Sequence, residues 1–332
     1  MTAQNFTAKP LTRRTVFLLT AATGLWACAP KGAPAEAQGT ATTLAEPQRA
    51  NWEVLPALSA LEARAGGRLG VAILDLHTGR RAGYRAEERF ALCSTFKMAL
   101  VGLVLREADR GRLDLSERLL FTAAYVERLG YAPTTRAAAN SAGASGAALS
   151  IEALAQAAQE ESDNGAANLL LEKLGGVARF TALLREVGDD TTRLDQIEPE
   201  MNLVGPGEAQ NTTTPGAYAQ TALTFSVGEA LEPASRAKML RWMQNTQTGP
   251  LRLRAGLPMA WAMGHKTGTG IAPGLANKCN DVGVAFPPGR AAIAISAYYE
   301  SPGYFQEMRD VDQAVLAEAA RIAAAWVTES EG

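Results

Sequence analysis

A serine and a lysine three residues apart, Ser94 and Lys97, lie at the start of a helix-like segment that ends near Arg110. Residues at positions i and i+3 share a helix face, so the Lys97 amine can reach the Ser94 hydroxyl. A helix N-terminus also presents free backbone N–H groups that stabilise developing negative charge. The pair therefore suits nucleophilic attack by an activated serine, although S-x-x-K alone is a weak signal that fits a capping serine and a surface lysine better.

Three other segments carry groups that suit the same chemistry. Residues 162–164 read Ser-Asp-Asn at the start of a helix-like segment, where an N-cap cluster is the alternative interpretation. Residues 266–268 read Lys-Thr-Gly beside strand-like segments, and there an ammonium and a hydroxyl could bind a carboxylate while glycine permits close approach. Glu198 and Asn202 lie in a long polar loop between Arg193 and Pro215, of the kind that is usually functional.

The composition limits which residue types can act as the catalytic base and which partners the protein can bind. The chain has 332 residues but only two histidines, His77 and His265, and neither lies in a nucleophile or base motif. The three cysteines and two histidines show no zinc-ligand spacing, so we expect no metal and no other cofactor. A lysine or a carboxylate is the expected base. The net charge of −2 gives no basis for nucleic-acid binding.

Strand-like segments lie near both ends of the chain, around a helical middle. This order predicts an α+β fold, an α/β sandwich whose antiparallel sheet is built from both chain ends, flanked by helices and with an inserted all-α lobe. The predicted strands are 68–76, 82–85, 259–265, 281–286 and 290–299. The predicted helices are 94–110, a run after Ser150, 164–174, 177–187, 215–224, 233–246 and 305–327. Residues 136–148, rich in Ala and Ser, are expected to form a flexible insertion.

The N-terminal segment is predicted to be an export signal rather than part of the fold. An arginine pair, Arg13 and Arg14, precedes a short apolar run that ends at Ala27, as in twin-arginine signals. Residues 25–28 resemble a lipoprotein box in which Cys28 would be lipidated, and Ala-Glu-Ala at 35–37 is a competing cleavage site. We expect a periplasmic or extracellular protein, attached to a membrane only through a lipidated Cys28.

These assignments give the predicted domain organisation. Residues 1–27 form the export signal and 28–49 a flexible linker. Residues 50–330 form one catalytic domain, with an α/β lobe at about 50–90 and 256–330 and an all-α lobe at about 91–255.

The order S-x-x-K, S-D-N, K-T-G resembles the penicillin-recognising serine enzymes. Within that superfamily, Glu-Pro-Glu-Met-Asn at 198–202 resembles the E-P-E-L-N loop of class A β-lactamases. Tyr-Ala-Pro at 131–133 and Thr-Thr-Thr-Pro at 212–215 match two further segments of that family. The resemblance covers the chain from about Leu55 to the C-terminus.

The resemblance implies that Ser94 attacks the lactam carbonyl and that water then hydrolyses the acyl-enzyme. Lys97, or Glu198 through a water, would be the acylation base, and Ser162 would protonate the leaving nitrogen. Glu198 would activate the water for deacylation, and the backbone N–H groups of Ser94 and Thr269 would form the oxyanion hole. The implied substrate-binding residues are Tyr131, Asn164, Asn202, Arg252, Lys266, Thr267, Gly268 and Thr269. The enzyme is expected to act as a monomer.

Two alternatives use the same nucleophile. A D-Ala-D-Ala carboxypeptidase would use Ser94, Lys97 and Ser162 on peptidoglycan, without rapid hydrolysis of a β-lactam acyl-enzyme. A non-enzymatic β-lactam sensor would be acylated once at Ser94.

The sequence departs from the family pattern at three places. Gln196 and Asn211 replace the usual Arg–Asp ion pair of the loop; because both charges are lost together, we predict a neutral hydrogen bond worth about 1 kcal/mol. Cys279 stands where many members carry an arginine, so the carboxylate-binding guanidinium is assigned to Arg252. Cys93 precedes the nucleophile, and a bridge to Cys279 is the alternative to a buried, free thiol.

A disulfide known from some carbapenem-hydrolysing relatives cannot form here. It joins a cysteine before the nucleophile to one directly after K-T-G-T, and the second position is Gly270 in this chain.

Overall fold

The computed structural model describes residues 52–329. The predicted export signal, the linker and Cys28 lie outside these residues. The strands are β1 (Glu53–Val54), β2 (Arg68–Asp75), β3 (Arg81–Tyr84), β4 (Phe90–Ala91), β5 (Arg118–Phe121), β6 (Ala147–Ser150), β7 (Thr212–Thr213), β8 (Ala262–Gly270), β9 (Lys278–Phe286) and β10 (Ile293–Glu300). The α-helices are α1 (Pro56–Ala65), α2 (Phe96–Asp109), α3 (Ala123–Glu127), α4 (Pro133–Ala142), α5 (Ile151–Glu160), α6 (Asn164–Leu174), α7 (Gly176–Glu186), α8 (Pro215–Ser226), α9 (Pro233–Gln244), α10 (Leu253–Gly256) and α11 (Asp310–Glu329).

Six strands form the main sheet in the order β1-β3-β2-β10-β9-β8. All neighbours in it are antiparallel except β1 and β3. Seven of the eight residues of β2 are buried, which explains its continuous apolar sequence. Because β2 from the N-terminal part pairs with β10 from the C-terminal part, the sheet is built from both chain ends. The predicted α+β fold is confirmed.

Helices cover both faces of the sheet. α1 and α11 pack on one face around a core that includes Leu58, Ile295 and Leu316. α8 packs on the other face, where the core continues into the helical part around α2. Residues 96–107 of α2 are all buried, as expected for a helix that is apolar on every side. The exact lobe boundaries stay a prediction. Within residues 52–329, no helix has both the length and the apolar character needed to cross a membrane.

The prediction of a flexible insertion at 136–148 is wrong. α4 occupies most of this segment, a 3₁₀ turn (Gly143–Ser145) follows, and β6 pairs with β5. Alanine is the strongest helix former, and Pro133 is well placed at the first helical turn. Thr135, which is fully buried, donates from its backbone N–H and its hydroxyl to Asp163, so α4 is tied to the start of α6.

The last strand and the last helix both begin later than predicted, at Ile293 and Asp310. The segment before α11 is irregular, and the side-chain amide of Asn277 donates to its carbonyls at Phe305 and Glu307. Side-chain hydrogen bonds from a distant residue therefore delay the helix, and no local pattern encodes them.

The long loop between Arg193 and Pro215 is closed by side-chain hydrogen bonds. Asn211 Nδ2 donates to Gln196 Oε1 at 2.9 Å, which confirms the predicted neutral pair. Asn211 Oδ1 also accepts from the backbone N–H groups of Asp195 and Gln196, at 2.8 and 3.0 Å. The loop contains a 3₁₀ turn (Glu200–Asn202), and its end forms β7, which pairs with β4.

Candidate active site

The nucleophile candidate lies on a 3₁₀ turn (Cys93–Thr95) that leads directly into α2. The Ser94 hydroxyl donates to Glu198 Oε1 at 2.8 Å and accepts from Lys97 Nζ at 2.8 Å. Tyr218 holds the turn in place, because its hydroxyl donates to the Thr95 carbonyl. The i, i+3 spacing read from the sequence therefore brings the amine to the serine oxygen.

Lys97 is fully buried and lies among more acceptors than it has protons. Its Nζ lies 2.8 Å from Ser94 Oγ, 2.9 Å from the Ser162 carbonyl oxygen, 2.5 Å from Asn164 Oδ1 and 2.9 Å from Glu198 Oε1. Burial lowers the pKa of Lys97, and the Glu198 carboxylate opposes that shift only in part. The amine is thus easier to deprotonate than an ordinary lysine.

Glu198 is 1% exposed, and its backbone is fixed by Asn168. The Asn168 side chain donates to the Glu198 carbonyl at 2.8 Å and accepts from its N–H at 3.1 Å. Burial alone would raise the pKa of Glu198, but Lys97 and hydrogen bonds from Ser94 and Asn202 lower it below its ordinary value of 4.5. The carboxylate is therefore ionised at neutral pH.

Asn202 donates from Nδ2 to Glu198 Oε2 at 2.6 Å and to the Pro199 carbonyl at 3.0 Å. Its Oδ1 is buried and has no hydrogen-bond partner within residues 52–329. Glu198 and Asn202 line the same cleft, so the carboxylate and the unpartnered amide oxygen are suited to accept the two protons of one donor molecule in hydrogen bonds.

Sequence reasoning missed Asn168. It follows Asn164 of the S-D-N motif by four residues on α6, so the i, i+4 rule places it on the same helix face and could have identified it.

Ser162 and Lys266 connect the helical part to the sheet. Lys266 Nζ donates to Ser162 Oγ and to the Thr267 carbonyl, both at 2.9 Å. Burial, and then the nearby Lys97, lower the pKa of Lys266 well below its ordinary value. Ser162 Oγ also lies 3.5 Å from Lys97 Nζ, so its hydroxyl lies between two lysines.

The K-T-G segment lies within β8, the edge strand of the sheet, which begins and ends later than the predicted strand at 259–265. A Cβ atom on Gly268 would lie 2.9 Å from the Leu92 carbonyl oxygen and 3.1 Å from Cys93 Cβ. Glycine therefore permits β8 to approach the nucleophile turn. Cys93 and Cys279 are both buried and free, so they form no disulfide with each other. Burial raises the pKa of the Cys93 thiol to about 12, so the thiol is protonated.

Arg252 lies against β8 and is 4% exposed. Its Nη1 donates to the carbonyls of Gly268 and Asn280, both at 2.9 Å, and its Nη2 donates to Thr269 Oγ1 at 2.7 Å. Cys279 belongs to the buried core with α1 and α11, so its side chain is not at the cleft. Among the described residues, Arg252 is therefore the arginine that contacts Gly268 and Thr269.

These residues surround a cleft of about 500 Å³. Lys97, Lys266 and Gly268 lie behind its surface, while Tyr131, 58% exposed, lies on its wall. Thr248, Gly249 and Ile271 line it as well, and sequence reasoning missed them. Within the described part of the chain, no group of His, Cys, Asp and Glu side chains is arranged to hold a metal ion. The residues that line the cleft are Ser94, Tyr131, Ser162, Asn164, Glu198, Asn202, Thr248, Gly249, Arg252, Thr267, Thr269 and Ile271.

Comparison with known proteins assigns the family. A family model described as the β-lactamase enzyme family matches residues 54–327. A β-lactamase of Streptomyces lavendulae is 43% identical over 257 residues, which cover 77% of this chain and 81% of that protein. A β-lactamase of Kitasatospora aureofaciens is 39% identical over 322 residues, which cover 97% of this chain and 99% of that protein.

Solved structures agree with the sequence relatives. The structure of an ancestral (GNCA) class A β-lactamase is 45% identical, with a TM-score of 0.73, and the match covers 82% of this chain and 98% of that one. The motif order, the fold and these similarities together show that the chain belongs to the β-lactamase enzyme family, as a class A serine β-lactamase.

Proposed function

We propose that the chain hydrolyses the β-lactam amide of penicillins and cephalosporins through an acyl-enzyme on Ser94, which a water activated by Glu198 then cleaves. One observation carries this proposal: the Ser94 hydroxyl lies 2.8 Å from both Glu198 Oε1 and Lys97 Nζ. A nucleophile that contacts a buried carboxylate and a buried amine can lose its proton as it attacks.

In acylation, Ser94 Oγ bonds to the lactam carbonyl carbon and its proton passes to the Lys97–Glu198 pair. The backbone N–H groups of Ser94 and Thr269 bind the oxyanion, each worth about 3 kcal/mol in such sites. When the C–N bond breaks, Ser162 donates its proton to the leaving nitrogen. Ser162 regains a proton from Lys97, whose Nζ lies 3.5 Å away.

In deacylation, a water bound between Glu198 and Asn202 attacks the ester. Asn202 Oδ1, buried and without a partner among the described residues, supports this role because it can accept a hydrogen bond from the water. Glu198 removes the other proton of the water as the water oxygen bonds to the acyl carbon. That proton passes to Ser94 Oγ when the ester C–O bond breaks, so the free serine is restored.

Substrate binding uses the two ends of the cleft. The substrate carboxylate lies against Thr267, Thr269 and Arg252, with Lys266 behind the cleft surface, and the Arg252 guanidinium favours negative charge there. Asn164 uses one Nδ2 proton on the Leu129 carbonyl at 2.7 Å, so its second proton can bind the side-chain amide of the substrate.

Replacement of Glu198 by glutamine tests the proposal. The wild-type enzyme should turn over a chromogenic cephalosporin, and Glu198→Gln should accumulate an acyl-enzyme that intact-mass spectrometry detects. Glu200→Gln, in the exposed neighbour on the same loop, is the matched control and should keep wild-type turnover.

Two outcomes would contradict hydrolysis by this route. A single stoichiometric burst from the wild-type enzyme would identify a sensor. Hydrolysis of a D-Ala-D-Ala peptide, with slow β-lactam turnover that Glu198→Gln does not change, would identify a carboxypeptidase.

We further propose that the enzyme acts as a monomer outside the cytoplasm, with membrane attachment only through a lipidated Cys28. The arginine pair and the lipobox-like residues 25–28 support export, and the monomer is supported by the presence of every motif of the proposed mechanism in this one chain. Cell fractionation and the mass of the mature protein, with Cys28→Ser as the control, test the anchor. Size-exclusion chromatography tests the oligomeric state.

A further inference from the structure

The loop between α9 and α10 places one hydroxyl in the cleft that the mechanism above does not use. Thr248 Oγ1 lies 2.5 Å from Thr267 Oγ1, on the K-T-G strand. Within residues 52–329, neither hydroxyl makes another hydrogen bond. Both residues line the cleft.

Hydrogen bonds hold this loop against β8 and the end of α5. Thr246 donates its hydroxyl proton to the His265 carbonyl at 2.7 Å, and the Gln247 N–H donates to the Glu160 carbonyl at 2.8 Å. At Gly249, which has a φ of +66°, a Cβ atom would lie 2.5 Å from Thr267 Cγ2. Only glycine permits this approach, so the position of Thr248 beside Thr267 is set by the loop.

Three hydroxyls at the carboxylate end of the cleft are arranged in the same way. Each contacts a group that can donate to it: Lys266 Nζ donates to Ser162 and Arg252 Nη2 donates to Thr269, while in the Thr248–Thr267 pair either hydroxyl can be the donor. A hydroxyl that accepts from a cation keeps its own proton for the substrate. The three pairs, hydroxyl first, are Ser162 with Lys266, Thr269 with Arg252, and Thr267 with Thr248.

We propose that Thr248 is a substrate-positioning residue, which donates to Thr267 and so directs the Thr267 proton onto the substrate carboxylate. A hydroxyl has one proton and two acceptor sites, so Thr267 can accept from Thr248 and donate to the carboxylate at the same time. Such a chain also polarises the Thr267 O–H bond and strengthens its contact with an anion. The inference rests on the proposed β-lactam hydrolysis.

Steady-state kinetics of Thr248→Val and Thr248→Ser test the inference. Valine keeps the shape of threonine but removes the hydroxyl, so KM for a cephalosporin should rise about tenfold while kcat stays within twofold. Serine keeps the hydroxyl and should restore KM to within twofold of the wild type. Thr224→Val, on the surface of α8, is the matched control and should change neither constant.

A cephalosporin whose carboxylate is blocked as a methyl ester shows whether Thr248 acts on the substrate anion or only in packing. Thr248→Val and the wild type should hydrolyse the ester with the same kcat/KM, because the anion is absent. Equal losses on acid and ester, or an unchanged KM for the acid, would overturn the inference alone. A wild type that hydrolyses neither substrate would overturn the proposed function, and the inference with it.

Discussion

Lys97 and Glu198 are both buried, with Nζ and Oε1 2.9 Å apart. Burial favours the neutral form of each group, whereas the attraction between the two charges favours the charged forms. Because both contact Ser94, the proton that leaves the serine can pass to this pair.

The lowered pKa of Glu198 predicts how activity depends on pH at the acid end. The carboxylate must be ionised to accept a proton, and its pKa lies below its ordinary value of 4.5. As pH falls from 7, kcat/KM for a cephalosporin should stay level until about 4.5 and decrease only below it. A pH–rate profile checks this, and an acid limb centred near pH 6 would contradict it.

Arg252 and Arg254 provide a matched pair for the carboxylate site. Arg252 is buried and donates to Thr269 Oγ1, whereas Arg254 is exposed and donates to the Gln244 carbonyl at 3.0 Å. Arg252→Ala should reduce kcat/KM more than tenfold, and Arg254→Ala should change it less than twofold. Equal effects from the two replacements would show that Arg252 does not bind the substrate carboxylate.

At the scale of elements, the loop that carries Glu198 depends on Asn211 more than the sequence indicated. Gln196→Ala removes one neutral hydrogen bond and should cost about 1 kcal/mol in the free energy of unfolding. Asn211→Ala leaves two backbone N–H groups without an acceptor and places alanine at a φ of 54°, so it should cost about 3 kcal/mol. Urea unfolding measures both, and equal costs would show that the backbone hydrogen bonds contribute nothing.

The approach of β8 to the nucleophile turn predicts that a disulfide can be introduced. A Cβ atom at position 270 would lie 3.0 Å from Cys93 Sγ. In a disulfide, the Cβ atom of one cysteine lies about this far from the Sγ atom of the other. Gly270→Cys should therefore form a disulfide with Cys93 in air, with a loss of two hydrogen atoms that intact-mass spectrometry detects. The same replacement combined with Cys93→Ser should keep its full mass, and an unbridged thiol pair would refute the geometry.

At the scale of the whole molecule, a buried ion pair joins the two chain ends. Arg290 Nη2 lies 2.7 Å from Asp75 Oδ2 at the end of β2, and Arg290 Nη1 donates to the Val327 carbonyl of α11 at 3.2 Å. Arg290→Met leaves the Asp75 carboxylate buried without its cation, so we expect a cost of about 3 kcal/mol in the free energy of unfolding. The exposed pair of Arg321 and Glu318 is the control, where Arg321→Ala should cost less than about 1 kcal/mol.

This prediction separates stability from catalysis. Arg290 does not line the cleft, so the folded variant should keep the wild-type kcat at 25 °C. A reduced kcat in fully folded enzyme would show that the pair also acts on the cleft.

The fold was predictable from the sequence where the signals are local. The helix at Asn164–Leu174 begins after a capping Asp163 and ends at Gly175, and both signals lie within the segment itself. The prediction of a flexible insertion at 136–148 is wrong because alanine and serine occur in both linkers and helices. Its buried contact with Asp163 depends on packing between elements, which composition does not describe.

The sequence by itself determined the chemistry of this protein, because the serine, the two lysines and the glutamate stand in motifs whose order is characteristic of one family. Only the tertiary structure decided the distances, because Ser94 and Glu198 are 104 residues apart and meet through the packing of a loop against two helices. The same packing buries Lys97 and changes its pKa, places Asn168 behind Glu198, and brings Thr248 to Thr267. Local sequence patterns extend over a few residues, whereas burial and contact between distant side chains arise when the whole chain folds.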